Sequence, residues 1–544
     1  LGGEVIVGGR TITDMKKIWT LSLLILLIIP VFSQDVSYNQ YYNLYKNRVV
    51  RTEYAEKLDV HSYVGEEPDA APDEYFLQDK KPIILPKTGA TWKVSVPESG
   101  LYTFFFEYLF YPANGETEKL TVVIDGQLPF AEAESVLPPR FFRNGVANRE
   151  KPNRNSTVAP LPGIIWQKRY AGDTSGMSDY PMKFYLTAGE HEITLIPQGG
   201  HWYLNSFEVA AYQAPPTLEE YRKLYPVEFT AAIDTVITID GAYYTYQYGE
   251  PDAIIYMDLE ANPTRDYNAL GRWRNPGNGV IWEFEVEETG FYEIAFRYAL
   301  GSIPLVEIPL GNMSQKGFVH SERMLLVDGK VPFQEAGLIV FNPTDGGRSR
   351  YTNYWYTYSP TFNVKGSRLN FELFLEKGTH TIELIPTLQM RLPIINLLQE
   401  IFQRIEKLES DYKEALGEDP NPNLSYPLKQ ETVDDIRALL SDVLLAIRRV
   451  ANFSRNSRVE SSLNDVLNRL TNLALLTAID TGDMVEITRI KENLRRTINN
   501  AYYTPLNLDA ILLYSPRNEK IIRNERNDSF WGILSNYFKY RVKI

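Results

Sequence analysis

Three blocks of this sequence occur twice, in the same order. Gly89, Trp92, Val96, Glu98, Gly100 and Tyr102 return as Gly279, Trp282, Val286, Glu288, Gly290 and Tyr292, and eight of the twenty positions from Gly89 to Tyr108 are identical in the second run. Asp125-Gly126, Pro129-Phe130 and Glu132-Ala133 return as Asp328-Gly329, Pro332-Phe333 and Glu335-Ala336. Leu186, Gly189, His191, Ile193, Leu195 and Pro197 return as Leu375, Gly378, His380, Ile382, Leu384 and Pro386. A fixed order at a near-constant offset means two copies of one folding unit. The second copy carries about a dozen extra residues near Gly301–Gly317.

Within each copy the apolar residues alternate. Trp92, Val94 and Val96 flank Lys93 and Ser95, and Tyr102, Phe104, Phe106 and Tyr108 follow a Glu-Ser-Gly turn. Period two with one apolar face is the pattern of a half-buried strand, and Asp-Gly supplies a tight turn. The expected class is mainly β with an α-helical domain: two antiparallel β-sandwiches of jelly-roll, galactose-binding-like form. Trp92 and Trp282 are expected in the cores, and His191 and His380, at one repeated strand position, are expected to be structural.

After Pro386 the period changes to that of helices. Ile394, Leu398, Ile401, Ile405, Leu408 and Tyr412 form one stripe, and Val433, Ile436, Leu440, Val443 and Ile447 a second. Leu463, Val466, Leu470 and Leu473 form a third, and Met484, Ile487, Leu494 and Ile498 a fourth. Four such stripes predict a four-helix bundle. The first copy ends on a strand-like run, Leu204–Tyr212; the second has its counterpart only at Leu508–Tyr514, beyond the helices. The bundle is therefore expected to be inserted before the last strand of the second sandwich. The domain reading is an upstream extension over 1–14, a signal peptide or anchor over 15–33, the first sandwich over 40–213, a helical linker over 214–228, the second sandwich over 229–386 plus 506–516, the bundle over 387–505 and an amphipathic tail helix over 517–544.

Met15-Lys16-Lys17, the apolar run Ile18–Phe32 and small residues at Val31 and Ser33 have the order of an export signal, which predicts an extracellular protein, secreted or anchored by this segment. The chain has no cysteine, which excludes a disulfide framework, a thiolate metal site and a lipidated cysteine. A net charge of -13 argues against nucleic acid as a partner. No Gly-x-Ser-x-Gly elbow, His-Glu-x-x-His or phosphate-binding loop is present, so no catalytic or metal residue is expected and the protein is read as a non-enzyme. Its 36 tyrosines and 8 tryptophans suit a binding surface.

The repeated Trp-x-Val/Phe-x-Val, Gly-x-Tyr and Gly-x-His-x-Ile-x-Leu series resembles the jelly roll of family 6 and family 35 carbohydrate-binding modules. With Pro215-Pro216-Thr217-Leu218-Glu219-Glu220-Tyr221 and the helices followed by Leu506–Ile511, the layout over roughly 40–540 resembles the N-terminal part of large extracellular solute-binding proteins of bacterial sugar ABC transporters. It departs from them in lacking the anchoring cysteine and, within these residues, the bilobal solute-binding domain, so transport itself is not carried over. The resemblance implies a non-catalytic carbohydrate-binding role, with an oligo- or polysaccharide ligand and a transporter permease or solute-binding protein as partner. No cofactor is expected, beyond structural calcium on loop carboxylates as in the resembled modules. The resemblance places binding beside the start of the last strand: His201, Trp202, Tyr203 and Asn205 in the first copy, Tyr502, Tyr503 and Asp509 in the second. Loop aromatics add Trp166 with Arg169 and Tyr170, Trp273 with Arg272, and Trp355 between Tyr354 and Tyr356, since flat rings cover sugar C–H faces while amides, carboxylates and guanidinium groups meet hydroxyls. Two alternatives remain: a structural, adhesion or scaffold protein docking a membrane or solute-binding partner, and a protein associated with glycoside hydrolysis.

Overall fold

A computed structural model describes residues 36–66, 80–112, 117–145, 160–226, 235–249, 254–258, 267–300, 320–342, 356–364, 367–453 and 457–517. The 1–14 extension, the 15–33 signal, the tail beyond Arg517 and Trp355 lie outside the described residues. The protein is mainly β, in antiparallel sheets, with six α-helices among the described residues. None of those helices is long and apolar enough to cross a membrane.

The first copy has two sheets over one core. One runs Ala55–Leu58, His201–Ala211, Gly100–Tyr111, Gln167–Tyr170; the other runs Ala90–Val96, Gly189–Gln198, Lys119–Ile124. Trp92 from the second sheet meets Phe207 from the first with ring centroids 5.6 Å apart, and Phe104, Phe106, Ile193 and Leu195 join the same buried cluster. Each fully buried side chain of this size contributes about 1.5–3 kcal/mol. The strand period reads out directly, with Trp92, Val94 and Val96 buried and Lys93 and Ser95 exposed.

The second copy repeats this plan in detail. Trp92 Nε1 donates to Asp59 O and Trp282 Nε1 to Gly241 O, each at 3.2 Å. Asp125 and Gly126 have φ of 50° and 76°, Asp328 and Gly329 of 49° and 76°, so both hairpins turn through two left-handed residues, a geometry that Asp and Gly tolerate. A histidine clamps each turn. His191 Nδ1 lies 2.6 Å from Asp125 Oδ2, and His380 Nδ1 lies 2.7 Å from Asp328 Oδ2. In both copies the histidines therefore hold structure.

Each copy also opens on a short helix, α1 (Tyr38–Tyr45) and α2 (Leu218–Leu224), both started by capping boxes, Ser37 with Gln40 and Thr217 with Glu220. The first helical N–H donates to Glu132 Oε2 in one copy (2.6 Å) and to Glu335 Oε2 in the other (2.8 Å). Tyr45 stacks on Tyr185, and Tyr225 on Phe374, both at 4.1 Å. Within the segment expected as a linker, α2 and Tyr225 thus pack onto the second copy as α1 and Tyr45 pack onto the first.

Leu506–Tyr514 lies between Tyr267–Trp273 and Gly290–Ala299 in the second copy's sheet. Before it in sequence come α3 (Leu392–Leu416), α4 (Gln430–Phe453), α5 (Arg458–Leu473) and α6 (Thr481–Ala501). Each of these helices packs on the next and α6 returns to α3, around a core that includes Ile405, Tyr412, Val443, Leu470 and Leu494. The two ends of the helical segment meet at one buried node. Arg391 Nε donates to Glu322 Oε1 (2.8 Å) and its Nη1 to Tyr503 O (2.7 Å), while Arg323 donates to Thr504 Oγ1 (3.0 Å) and to Trp273 O (3.0 Å).

The two copies share a sheet. The second copy's layer runs Ile339–Phe341, Ser321–Val327, Gly378–Pro386, Val280–Val286, Tyr246–Tyr248, and continues into Phe141–Arg143 and Leu161–Gly163 of the first copy. Beside this seam Arg169 makes a bidentate bond to Glu383 (2.9 and 2.7 Å) and a third to Tyr248 Oη (2.9 Å).

Candidate functional site

Burial sorts the residues expected to bind sugar. Trp202 is 1 % exposed and packs against Tyr108 and Phe110; it offers no ring face to a ligand, because the start of the last strand turns it into the core. Tyr203 is buried too. Arg169 is 4 % exposed and paired with Glu383 and Tyr248; it joins the copies, and its burial keeps the guanidinium from a ligand at the surface. Trp273 is 1 % exposed, donates its Nε1 to Asn278 O and lies under the Arg323 guanidinium, 4.4 Å from the ring centroid. Tyr503 gives its carbonyl to Arg391 and its ring face to Arg274, at 5.0 Å, so it belongs to the helical junction. Of these five residues expected to bind, four are buried within the fold and Tyr503 is half-buried at the junction.

Asn205, Asp509 and Trp166 remain. Asn205 sits at a β-bulge, where the pairing of the last strand with Gly100–Tyr111 slips between Leu204 and Ser206. A bulge re-aims one side chain out of the alternation, and Asn205 Nδ2 donates to Glu107 Oε2 at 2.6 Å. Glu107 stands in an aromatic strand and points away from the core. Its other oxygen accepts from Lys80 Nζ at 2.6 Å, and Lys168 Nζ lies 3.9 Å away. Lys80 in turn sits over Trp166, 5.4 Å from the ring centroid. On the same face Phe105 meets Tyr170 edge-on at 4.8 Å, both half-buried. Burial pushes the Glu107 carboxyl up, but bonds from Lys80 and Asn205 and the charges of Lys80 and Lys168 outweigh it and hold the group below its usual value. A carboxylate kept ionised and doubly engaged orients its neighbours; it is not a proton donor at neutral pH.

Asp509 occupies the corresponding bulge of the second copy, where pairing slips between Arg297 and Tyr298. The partners are exchanged in charge: Arg297 stands where Glu107 stands, and its Nε lies 2.8 Å from Asp509 Oδ2. Its two side chains are 18 % and 11 % exposed, whereas the first node adds the open Lys168 side chain, 68 % exposed.

Chemically, the first node offers a half-exposed indole, two ammonium groups, an amide and a paired aromatic edge, the kit for laying a flat sugar face on rings while donors meet its hydroxyls. Among the described residues no group of three or more His, Asp or Glu side chains could hold a metal ion. Sequence reasoning missed Lys80, Phe105, Glu107 and Lys168. One signal was available: Glu107 is a lone acid inside Phe104-Phe105-Phe106-Glu107-Tyr108-Leu109-Phe110.

No protein-family model matches the chain, and no curated protein matches it. Among solved structures it is similar to the Podospora anserina GH26-CBM35 β-(1,4)-mannanase (12 % identity, 30 % of this chain, 29 % of that one, TM-score 0.18). It is similar also to a family 35 carbohydrate-binding module from Clostridium thermocellum (9 % identity, 29 % of this chain, 97 % of that one, TM-score 0.15). A third is the Paenibacillus sp. cycloisomaltooligosaccharide glucanotransferase (13 % identity, 64 % and 50 % coverage, TM-score 0.16). The match spans less than a third of the mannanase. Overlaps this loose say nothing of function, which has to be read from the residues of this chain.

Proposed function

We propose that this chain is a non-catalytic carbohydrate-binding protein that works outside the cytoplasm beside an ABC-type sugar-uptake system. Its ligand is an oligo- or polysaccharide, and its partner a permease or a solute-binding protein. One observation carries the binding part: on the outer face of the first copy, Trp166, Lys80, Lys168 and Asn205 are gathered around Glu107 by a bulge in the last strand. The non-catalytic part is supported by the engagement of Glu107, whose oxygens both accept bonds. Export rests on the sequence pattern of 15–33, and the transporter association on the sequence resemblance alone.

The test is affinity electrophoresis of the full chain through gels containing mannan, xylan, dextran or pectin. We expect retardation in at least one, and loss of most of it in Trp166→Ala and Lys168→Ala, both of which should keep the parent's unfolding temperature. A folded protein that runs freely in every gel, or variants retarded like the parent, would overturn the assignment. A scaffold role is the second reading. The sheet shared by the two copies favours it, because a rigid pair of modules is what a spacer requires.

A further inference from the structure

A cleft of about 460 Å³ opens between the second copy and the helical segment, at the end of α4 and the start of α3. Binding sites for single small molecules span roughly 300–1,000 Å³, so the space is adequate for one or two sugar rings. Its lining includes His320, Asn342, Met390, Arg449, Asn452 and Phe453. The His320 and Phe453 rings lie 5.6 Å apart, tilted by 52°, which makes an aromatic corner. Met390 is 43 % exposed there, an apolar side chain left open beside it.

The polar lining has one character. It offers a guanidinium, an imidazole and two primary amides, and no carboxylate. Arg449 is exposed and makes no ion pair with another described residue. Behind the wall, the Arg391 guanidinium lies 5.8 Å from the Phe453 ring centroid. The node to which it belongs holds two fully buried arginines, Arg323 and Arg391, against one carboxylate, Glu322. The field at the cleft is therefore positive. The start of α3 and the end of α4 both face it, and their partial charges of opposite sign offset each other. His320 Nδ1 is buried and has no hydrogen-bond partner among the described residues; such an atom is costly to leave unsatisfied. Burial and the Arg391 charge push the imidazole down from its usual value, so at neutral pH the ring is uncharged, and one nitrogen accepts while the other donates.

We infer that this cleft binds an acidic sugar, a hydroxylated ring bearing one carboxylate or one phosphate group, with the anionic group at Arg449, the ring face against Phe453, and hydroxyls at His320, Asn342 and Asn452. The site does not depend on the first-copy face, and it adds to that face a preference for charge. Isothermal titration of the full chain with D-glucuronate, D-glucose 6-phosphate and D-glucose at low ionic strength tests it. At least one of the two acids should bind, at least tenfold tighter than glucose; which one binds separates the carboxylate from the phosphate source. Arg449→Ala and Asn452→Ala should weaken that binding about tenfold or more without moving the unfolding temperature, because both side chains are exposed. Trp166→Ala should leave it unchanged, which keeps this result separate from the polysaccharide gels. No binding of either acid, equal binding of glucose, or an Arg449→Ala variant that binds like the parent would overturn the inference.

Discussion

The two copies agree in their frames and differ in the surface they build at the last strand. Capped opening helix, core tryptophan, left-handed Asp-Gly turn and histidine clamp recur residue for residue. At the bulge in the last strand the copies differ: amide, carboxylate and lysines in the first, guanidinium and carboxylate in the second. A frame built from buried side chains tolerates few changes, since each loses packing. The bulge side chain faces outward and is released from that constraint, so this is where duplicated units can acquire different surfaces.

The joint between the copies sets the largest effect. Replacing Arg169 by Ala leaves Glu383 charged, buried and unpaired, which should cost about 3–5 kcal/mol, read as a fall in the urea midpoint. Restoring shape without charge, as Arg169→Met with Glu383→Met, should recover most of it. A small loss in Arg169→Ala would mean the copies are held by their shared sheet alone. The second test exchanges the bulges. Glu107→Arg places a guanidinium against Lys80 and Lys168 and should destabilise the first copy; adding Asn205→Asp rebuilds the pair of the second copy. The double-mutant cycle should show a favourable coupling of about 0.5–3 kcal/mol, and additivity would show that the two nodes are not versions of one site. The smallest effect lies in the clamp. Burial pushes the His380 imidazole down, but bonds to Asp328 and to Glu376 O, both acceptors, outweigh it and raise its pKa. A raised folded value means stability that is complete below the unfolded pKa of about 6.5 and lost as pH climbs through the folded one. Half-exposed Asp328 limits it to under about 1 kcal/mol. His380→Ala should remove that pH-dependent part of the urea midpoint, and an unchanged slope would mean the clamp works as a neutral ring.

Strand alternation, the helical stripes and the paired blocks were legible because burial repeats with the period of the element that carries it. The site was legible only in fragments. Asn205 and Asp509 stood out by position; Glu107 was passed over, although it is a lone acid among aromatics. That they share a node depends on a one-residue slip in strand pairing, which no periodicity encodes. The loop aromatics misled for a related reason: Trp202 and Trp273 look unrepeated in sequence, yet each is turned inward by the strand that carries it. Arg169 was placed on a sugar because its partners, Tyr248 and Glu383, lie in the other copy, far along the chain.

The position of Leu506–Tyr514 also has a meaning in time. This strand is interior to the second copy's sheet, yet 206 residues, 300 to 505, separate it from its neighbour Gly290–Ala299. Made from the N-terminus at about 5–20 residues per second, the chain would expose that gap in the sheet for roughly 10–40 s. In the first copy the same gap, between Gly100–Tyr111 and His201–Ala211, is 89 residues, 112 to 200, and is open for roughly 4–18 s. The α3–α6 segment, whose helices contact their sequence neighbours, can fold while the ribosome is still short of Leu506. The second copy therefore forms last, templated on one side by the finished first copy through Tyr246–Tyr248 and on the other by the helices.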